Sequence, residues 1–315
     1  MFAMGQRLKS IAVLIFGVLL SVVGKAQAAP IVIPGTSVSL EPPAGFTISS
    51  NFSGLENTQS GSSITINELP PEAYEDVSTL FGTEERATEA LLRQGIAIEE
   101  HTLLDVGETQ VPLLRGTQRA EVGEVIKYLT LFKGETTVLV TFNIVDPNQV
   151  TPEIVEATVA SISLTAAPTI EDKVSQLSFS FQAAAPFSLS DVLSGSAALL
   201  TTVETPDPSG MSPMVIIARG QNVVDGRDMA NLSERLLRGT RGFSLVEIVR
   251  QATVDFAGGS GYMIEATLDG LTVVQYAYVP ANGRYIRLLA TGESGVFVDV
   301  LPAVEEIVES VKVVD

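Results

Sequence analysis

Apolar runs separated by short polar breaks recur along this chain, and they recur twice in the same order. From Glu124 to Val145 the sequence reads EVIKYLTLFKGETTVLVTFNIV, two apolar runs around a Lys-Gly-Glu-Thr break. From Leu271 to Gly292 it reads LTVVQYAYVPANGRYIRLLATG, with Pro-Ala-Asn-Gly as the break. The second run of the earlier copy has period two. Val138, Val140, Phe142 and Ile144 fall on one face and Thr137, Thr141 and Asn143 on the other, which predicts a half-buried strand. In the later copy, Tyr285, Arg287 and Leu289 alternate with Ile286, Leu288 and Ala290. Both faces are partly apolar, so this strand is expected to be covered on both sides. Asn282-Gly283 predicts its hairpin turn.

A polar loop and a proline follow each hairpin. VTPEIVEATVASISL places Thr151 at an N-cap and Pro152 at the first helical position, and VLPAVEEIVESVKVV puts Pro302 in the matching place. Val155, Thr158, Val159 and Ile162 form a helical stripe; Val304, Ile307, Val308 and Val311 form a second. Upstream, Glu84–Ile96 and Asp228–Phe243 read as helices sharing Leu-Leu-Arg at 91–93 and 236–238, with Gly95 and Gly239 where a helix ends. A strand-like pair follows each. Strands ending near SITINELP and MVIIARGQ precede each helix, and the first strands include Ala44–Ser49 and Ala185–Ser190. Each copy therefore reads strand, strand, helix, a run of antiparallel strands, and a terminal helix. This predicts an α+β fold of two tandem domains, at 36–165 and 174–315, with a linker at 166–173.

Composition narrows the function. The 315 residues carry a net charge of −18 and no cysteine. The acid excess removes the basic footprint that nucleic-acid binding needs, and it disfavours anionic lipid surfaces. The absence of cysteine excludes disulfides, thiolate chemistry and an acylated lipoprotein anchor. At the N-terminus, Arg7 and Lys9 precede the apolar run Ile11–Val23, and Ala26 and Ala28 give the small-x-small cleavage pattern. Residues 1–28 are expected to be a signal peptide cut between Ala28 and Ala29; the alternative is an uncleaved anchor. The run falls short of the roughly 20 residues a spanning helix needs, so no stable membrane span is expected after cleavage. The expected location is periplasmic or secreted.

Taken together, a Gly-Phe or Pro-Phe first strand, a helix closing on Leu-Leu-Arg before a glycine, a meander turning at Asp269-Gly270, and YIRLLATG…LPAVEEIVESVKV resemble the Mog1/PsbP-like fold. The resemblance includes the DcrB-related, DUF1795-like domains, and it covers nearly all of each copy. It implies a twisted antiparallel sheet covered by helices. It also implies binding without catalysis, since relatives serve as photosystem subunits, a small-GTPase release factor, envelope lipoproteins and adaptor chaperones with no shared active site. The expected partner is an envelope or secreted protein, or an apolar ligand.

The chemically reactive residues fit binding. His101 is the only histidine. Glu99 and Glu100 adjoin it, but no G-x-S-x-G nucleophile elbow accompanies it, and it reads as an exposed strand-edge residue. Gly258–Met263 lacks the third glycine of a dinucleotide loop and continues as a strand, so it reads as a hairpin turn. Glu68, Glu72, Glu75 and Asp76 gather near one loop, and Glu84 and Glu85 suit a helix N-terminus. Asp146, Asn148 and Glu153 read as a loop and cap, since the calcium-loop spacing is missing. Neither a cofactor nor a metal site is expected. The alternative is a hydrolase using two carboxylates brought together from distant positions.

Overall fold

A computed structural model describes residues 29–120, 123–203 and 211–314. The expected signal peptide lies outside the described residues, and so does Ala28; Ala29 opens the described chain and is exposed.

The first unit contains β1 (Ile31–Val32), β2 (Val38–Leu40), β3 (Thr47–Ile48), β4 (Gly54–Asn57), β5 (Ser62–Leu69), α1 (Ala73–Phe81), α2 (Glu84–Leu92), β6 (Ile96–Val106), β7 (Thr109–Ala120), β8 (Gly123–Lys133), β9 (Thr137–Ile144), α3 (Pro152–Ala160) and β10 (Ser163–Leu164). A short helix, α4 (Ile170–Ser175), follows, closed by a capping box between Thr169 and Asp172. The second unit contains β11 (Phe179–Ser180), β12 (Ser188–Leu193), β13 (Ala197–Thr201), β14 (Met214–Arg219), α5 (Met229–Arg238), β15 (Glu247–Phe256), β16 (Gly259–Leu268), β17 (Leu271–Tyr278), β18 (Ile286–Glu293), α6 (Ser294–Ser310) and β19 (Lys312–Val313).

Each unit is a seven-stranded antiparallel sheet with one strand order: β3-β4-β5-β9-β8-β7-β6 and β12-β13-β14-β18-β17-β16-β15. The architecture is α+β in two tandem domains, as the resemblance implies. Several features lie beyond the sequence pattern, among them α1, an extra helix where Glu75 and Asp76 were expected near a loop, and α4, which begins inside the expected linker. β4 and β13 add a third strand ahead of the helices, and β2–β10 and β11–β19 clamp the start of each unit to its end.

Alternation explains the layers. Val138, Val140, Phe142 and Ile144 of β9 are at most 1% exposed and pack with Val155, Val159 and Ile162 of the α3 segment. Ile286, Leu288 and Ala290 meet Val304, Ile307 and Val308 in the second unit. Each such large side chain contributes about 1.5–3 kcal/mol on leaving water. Leu289, on the opposite face of β18, joins Leu237 of α5 in a separate cluster, so this strand is covered on both sides.

Two local expectations are corrected. Pro302 does not begin its helix, because α6 starts at Ser294. Phe297 and Val300 carry the apolar stripe back by two turns, and both are buried. Their burial outweighs the one backbone bond that proline removes. The carbonyl losing its donor belongs to Val298, which is 63% exposed and open to water. Asn282-Gly283 is not a two-residue hairpin turn either. It closes a turn in which the Gly283 amide donates to the Pro280 carbonyl (2.9 Å), within a longer loop between β17 and β18. The tight two-residue turn is Asp269-Gly270, with both residues at positive φ and Leu268 opposite Leu271.

The units touch through a hairpin. Ser194 and Gly195, both at positive φ, form the β12–β13 tip. There the Ser194 carbonyl accepts from the Ser53 amide (2.8 Å), and the Ser194 hydroxyl bonds Asn67 Oδ1. Arg284 reaches Glu56 at 3.8 Å, and its Nη1 donates to the Gln221 carbonyl.

Candidate functional site

The face of the first sheet turned away from α3 has a mixed composition. Strand alternation places Thr65 and Asn67 of β5, Lys127 and Leu129 of β8, and Leu139, Thr141 and Asn143 of β9 on this one side. α1 and α2 cover it. Thr83 starts α2 by accepting from the Arg86 amide (3.3 Å), which satisfies one of the free donors of the first turn. α1 buries only Phe81, and α2 buries Ala87 and Leu91. These three pack with Ile96, Leu114, Leu129 and Leu131 at one end of the face.

The helix pair is held in place by peripheral ties. Lys133 bonds Glu75 (3.1 Å) and lies 4.9 Å from the Tyr74 ring centroid. His101 Nε2 meets the Phe81 carbonyl at 2.7 Å. Gln118 Nε2 donates to the Gln94 carbonyl at 2.9 Å, just before Gly95 turns the chain at φ +75°. Beside the Phe81–Ala87–Leu91 contact, a cavity of about 500 Å³ remains between helices and sheet. Its apolar wall comes largely from Val77, Leu80, Phe81, Leu91, Ile96 and Leu129. Its polar wall includes Thr65, Asn67, Gln94, Gln118 and Asn143, with Gln221 contributed by the second unit.

Among the described residues, Lys127 is the one charged residue of the lining, which includes no carboxylate. Its Nζ donates to Asn143 Oδ1 at 2.5 Å, and Asn143 Nδ2 in turn donates to Ser63 Oγ at 3.0 Å. Ser63 and Asn143 thus fix the direction of the ammonium. Burial pushes the Lys127 ammonium below the ordinary lysine range. Lys127 makes no ion pair among the described residues.

The second unit fills the matching place. Counted from the hairpin that opens the strand, Gln275 of β17 occupies the position of Lys127 in β8. Gln275 is fully buried, and its Nε2 donates to the Ser233 carbonyl (2.8 Å) and Ser233 Oγ (3.2 Å) of α5. α5 packs onto the sheet at this position. Nearby on the same face, Arg287 has Nε and Nη2 buried without a partner, and burial lowers its pKa to about 10.

The residues singled out in the sequence lie elsewhere. His101 is on the edge strand β6 and is half-buried, with its Nε2 engaged by Phe81. Glu99 is held by Arg115 and by Thr117 Oγ1 (3.1 Å). Ala257-Gly258 forms the β15–β16 turn, where a Cβ on Gly259 would come within 2.2 Å of the Tyr278 ring. Asp146 accepts from the Asn148 amide (3.0 Å) and from Gln149 Nε2 (2.9 Å), a self-contained loop. Glu75 and Asp76 sit in the first turn of α1, and Glu84 and Glu85 in that of α2. Among the described residues, no three of His, Cys, Asp or Glu are placed to hold a metal, and no helix is long and apolar enough to cross a membrane. Lys127 was not singled out in the sequence. Its signal was a lysine inside a strand whose neighbours on both faces are apolar.

No family model matches the chain, and no curated protein matches it. Several solved structures are similar at low identity. LpqN, involved in cell envelope biogenesis of Mycobacterium tuberculosis, is 15% identical over 44% of this chain and 83% of its own, with a TM-score of 0.34. The Tle4–Tli4 complex gives 12% identity, 90% and 97% coverage and a TM-score of 0.33. Immunity protein TplEi of the T6SS from Pseudomonas aeruginosa, complexed with "L" peptide, gives 10%, 92% and 99%, and 0.30. Similarities this distant carry no argument about what this chain binds.

Proposed function

We propose that this chain is an exported, non-catalytic binding or scaffold protein of the bacterial cell envelope. In this reading its units span 36–165 and 174–315, joined through 166–173, and are of the DcrB-related, DUF1795-like kind. The signal peptide is removed between Ala28 and Ala29, and the mature chain works in the periplasm or outside the cell. The observation that supports binding is the cavity of the first unit. Its described lining combines hydrogen-bonding and apolar groups around one cation, with no paired carboxylates of the kind acid–base hydrolysis needs. A concave, largely preformed site of this size suits a ligand.

Two measurements test the reading. N-terminal sequencing of protein from its host is expected to begin at Ala29; an intact Met1 in the mature pool would overturn export. A broad hydrolase screen on the mature chain is expected to give no turnover. Turnover abolished by Lys127→Gln in a chain that still folds would replace binding with catalysis.

A further inference from the structure

We infer that the cavity of the first unit takes a monoanionic amphiphile, with its single carboxylate on Lys127 and its short alkyl body against Leu80, Phe81, Leu91 and Leu129. The inference rests on the binding reading above and adds the chemical class of the ligand.

Charge carries the first part. The chain has 37 acidic residues, yet none is among the described residues of the cavity wall. A half-buried lysine normally acquires a carboxylate, because an unpaired charge taken from water is costly. Lys127 has only the amide oxygen of Asn143. An ammonium has three donors, so two remain for a ligand. One ammonium balances one negative charge, so a monoanion is neutralised there, whereas a dianion would bring a second, unpaired charge into the cavity.

The wall carries the second part. Leu80 is 42% exposed on the cavity side of α1, while Phe81, Leu91 and Leu129 are buried behind it. An alkyl chain laid there would remove apolar surface from water on both partners. The duplication supplies the contrast: Gln275 stands where Lys127 does, and Ser233 occupies the space in front of it. Lys127 of the first unit faces a cavity, while its counterpart Gln275 is covered by α5.

The test uses the mature chain from Ala29 with octanoate, octanol and octylamine, titrated calorimetrically at neutral pH. Octanoate is expected to bind about tenfold more tightly than octanol, the effect of one charge-assisted hydrogen bond, and octylamine to bind weakest. Lys127→Gln is expected to erase the preference for octanoate while leaving octanol unchanged, and Lys127→Arg to restore part of it. Ala90→Phe, which fills the cavity from α2, is expected to abolish both. A melting curve for each variant shows that it folds. The octanoate advantage is expected to fade as pH rises through the lowered pKa of Lys127. Equal binding of octanoate and octanol, or an octanoate affinity indifferent to Lys127→Gln, would overturn the inference. If none of the three probes binds but a periplasmic partner captured by the wild-type chain is lost on Ala90→Phe, the ligand class is wrong and the binding reading stands.

Discussion

Gly195 is the place where the two units can be prised apart by one methyl group. It sits at the β12–β13 tip with φ +60°, and a Cβ built there would lie 2.4 Å from Ser53 Oγ and 2.8 Å from the Ser53 amide nitrogen. Two costs follow from Gly195→Ala. The left-handed backbone costs a non-glycine residue about 1 kcal/mol. The overlap with Ser53 involves backbone, so the tip must withdraw. Withdrawal breaks the bond from the Ser53 amide to the Ser194 carbonyl and the bond between the Ser194 hydroxyl and Asn67. Each is worth about 0.5–1.5 kcal/mol net, since water enters as the tip leaves. The expected loss is therefore about 2–4 kcal/mol in urea denaturation, together with lost hydrogen-exchange protection at the Ser53 amide. Gly107 provides the control. It too has φ +60°, but nothing lies within 4 Å of its Cβ position. Gly107→Ala should cost only the backbone term, about 1 kcal/mol. Equal losses at the two glycines, or a Ser53 amide still protected in Gly195→Ala, would refute a docked hairpin. The result bears on the cavity as well, because Gln221 reaches its wall from the second unit.

Two further substitutions test the buried polar groups. Arg287→Met removes a guanidinium with two unpartnered nitrogens and is expected to stabilise the chain at neutral pH by about 1–3 kcal/mol, as when buried charges give way to apolar isosteres. Because the folded pKa, about 10, lies below that of an unfolded arginine, the penalty is fully present below pH 10 and is relieved as pH rises through it. Thermal melts should therefore show the advantage of Met shrinking above pH 10, and a destabilised variant would point to a partner for Arg287. His101→Ala removes the 2.7 Å tie to Phe81 and should cost about 1 kcal/mol in urea denaturation; no loss would mean that α1 is held without it.

The sequence by itself determined what depends on near neighbours. Period-two alternation in β9, the apolar stripes of α3 and α6, Thr151-Pro152 at a helix start and Asp269-Gly270 in a hairpin all act over a few residues. They are fully written in the chain, and the duplication made each visible twice. Once α3 and α6 claim one face of their sheets, the residues between the apolar positions must face the other helices. What was not legible depended on residues far apart. Whether Pro302 starts or interrupts a helix was decided by the burial of Phe297 and Val300 against the sheet. The site was legible only as a lysine in an odd place. Its meaning required Asn143 and Ser63, which approach Lys127 only when β5, β9 and β8 line up side by side. It also required α1 and α2 to pack at one end of the face and leave Lys127 facing a cavity, while α5 packs down onto Gln275. Local propensity fixes which face a side chain takes, but a void is set by how closely two elements approach. That separation is fixed by the sum of long-range contacts, so only the tertiary structure could open one copy and close the other.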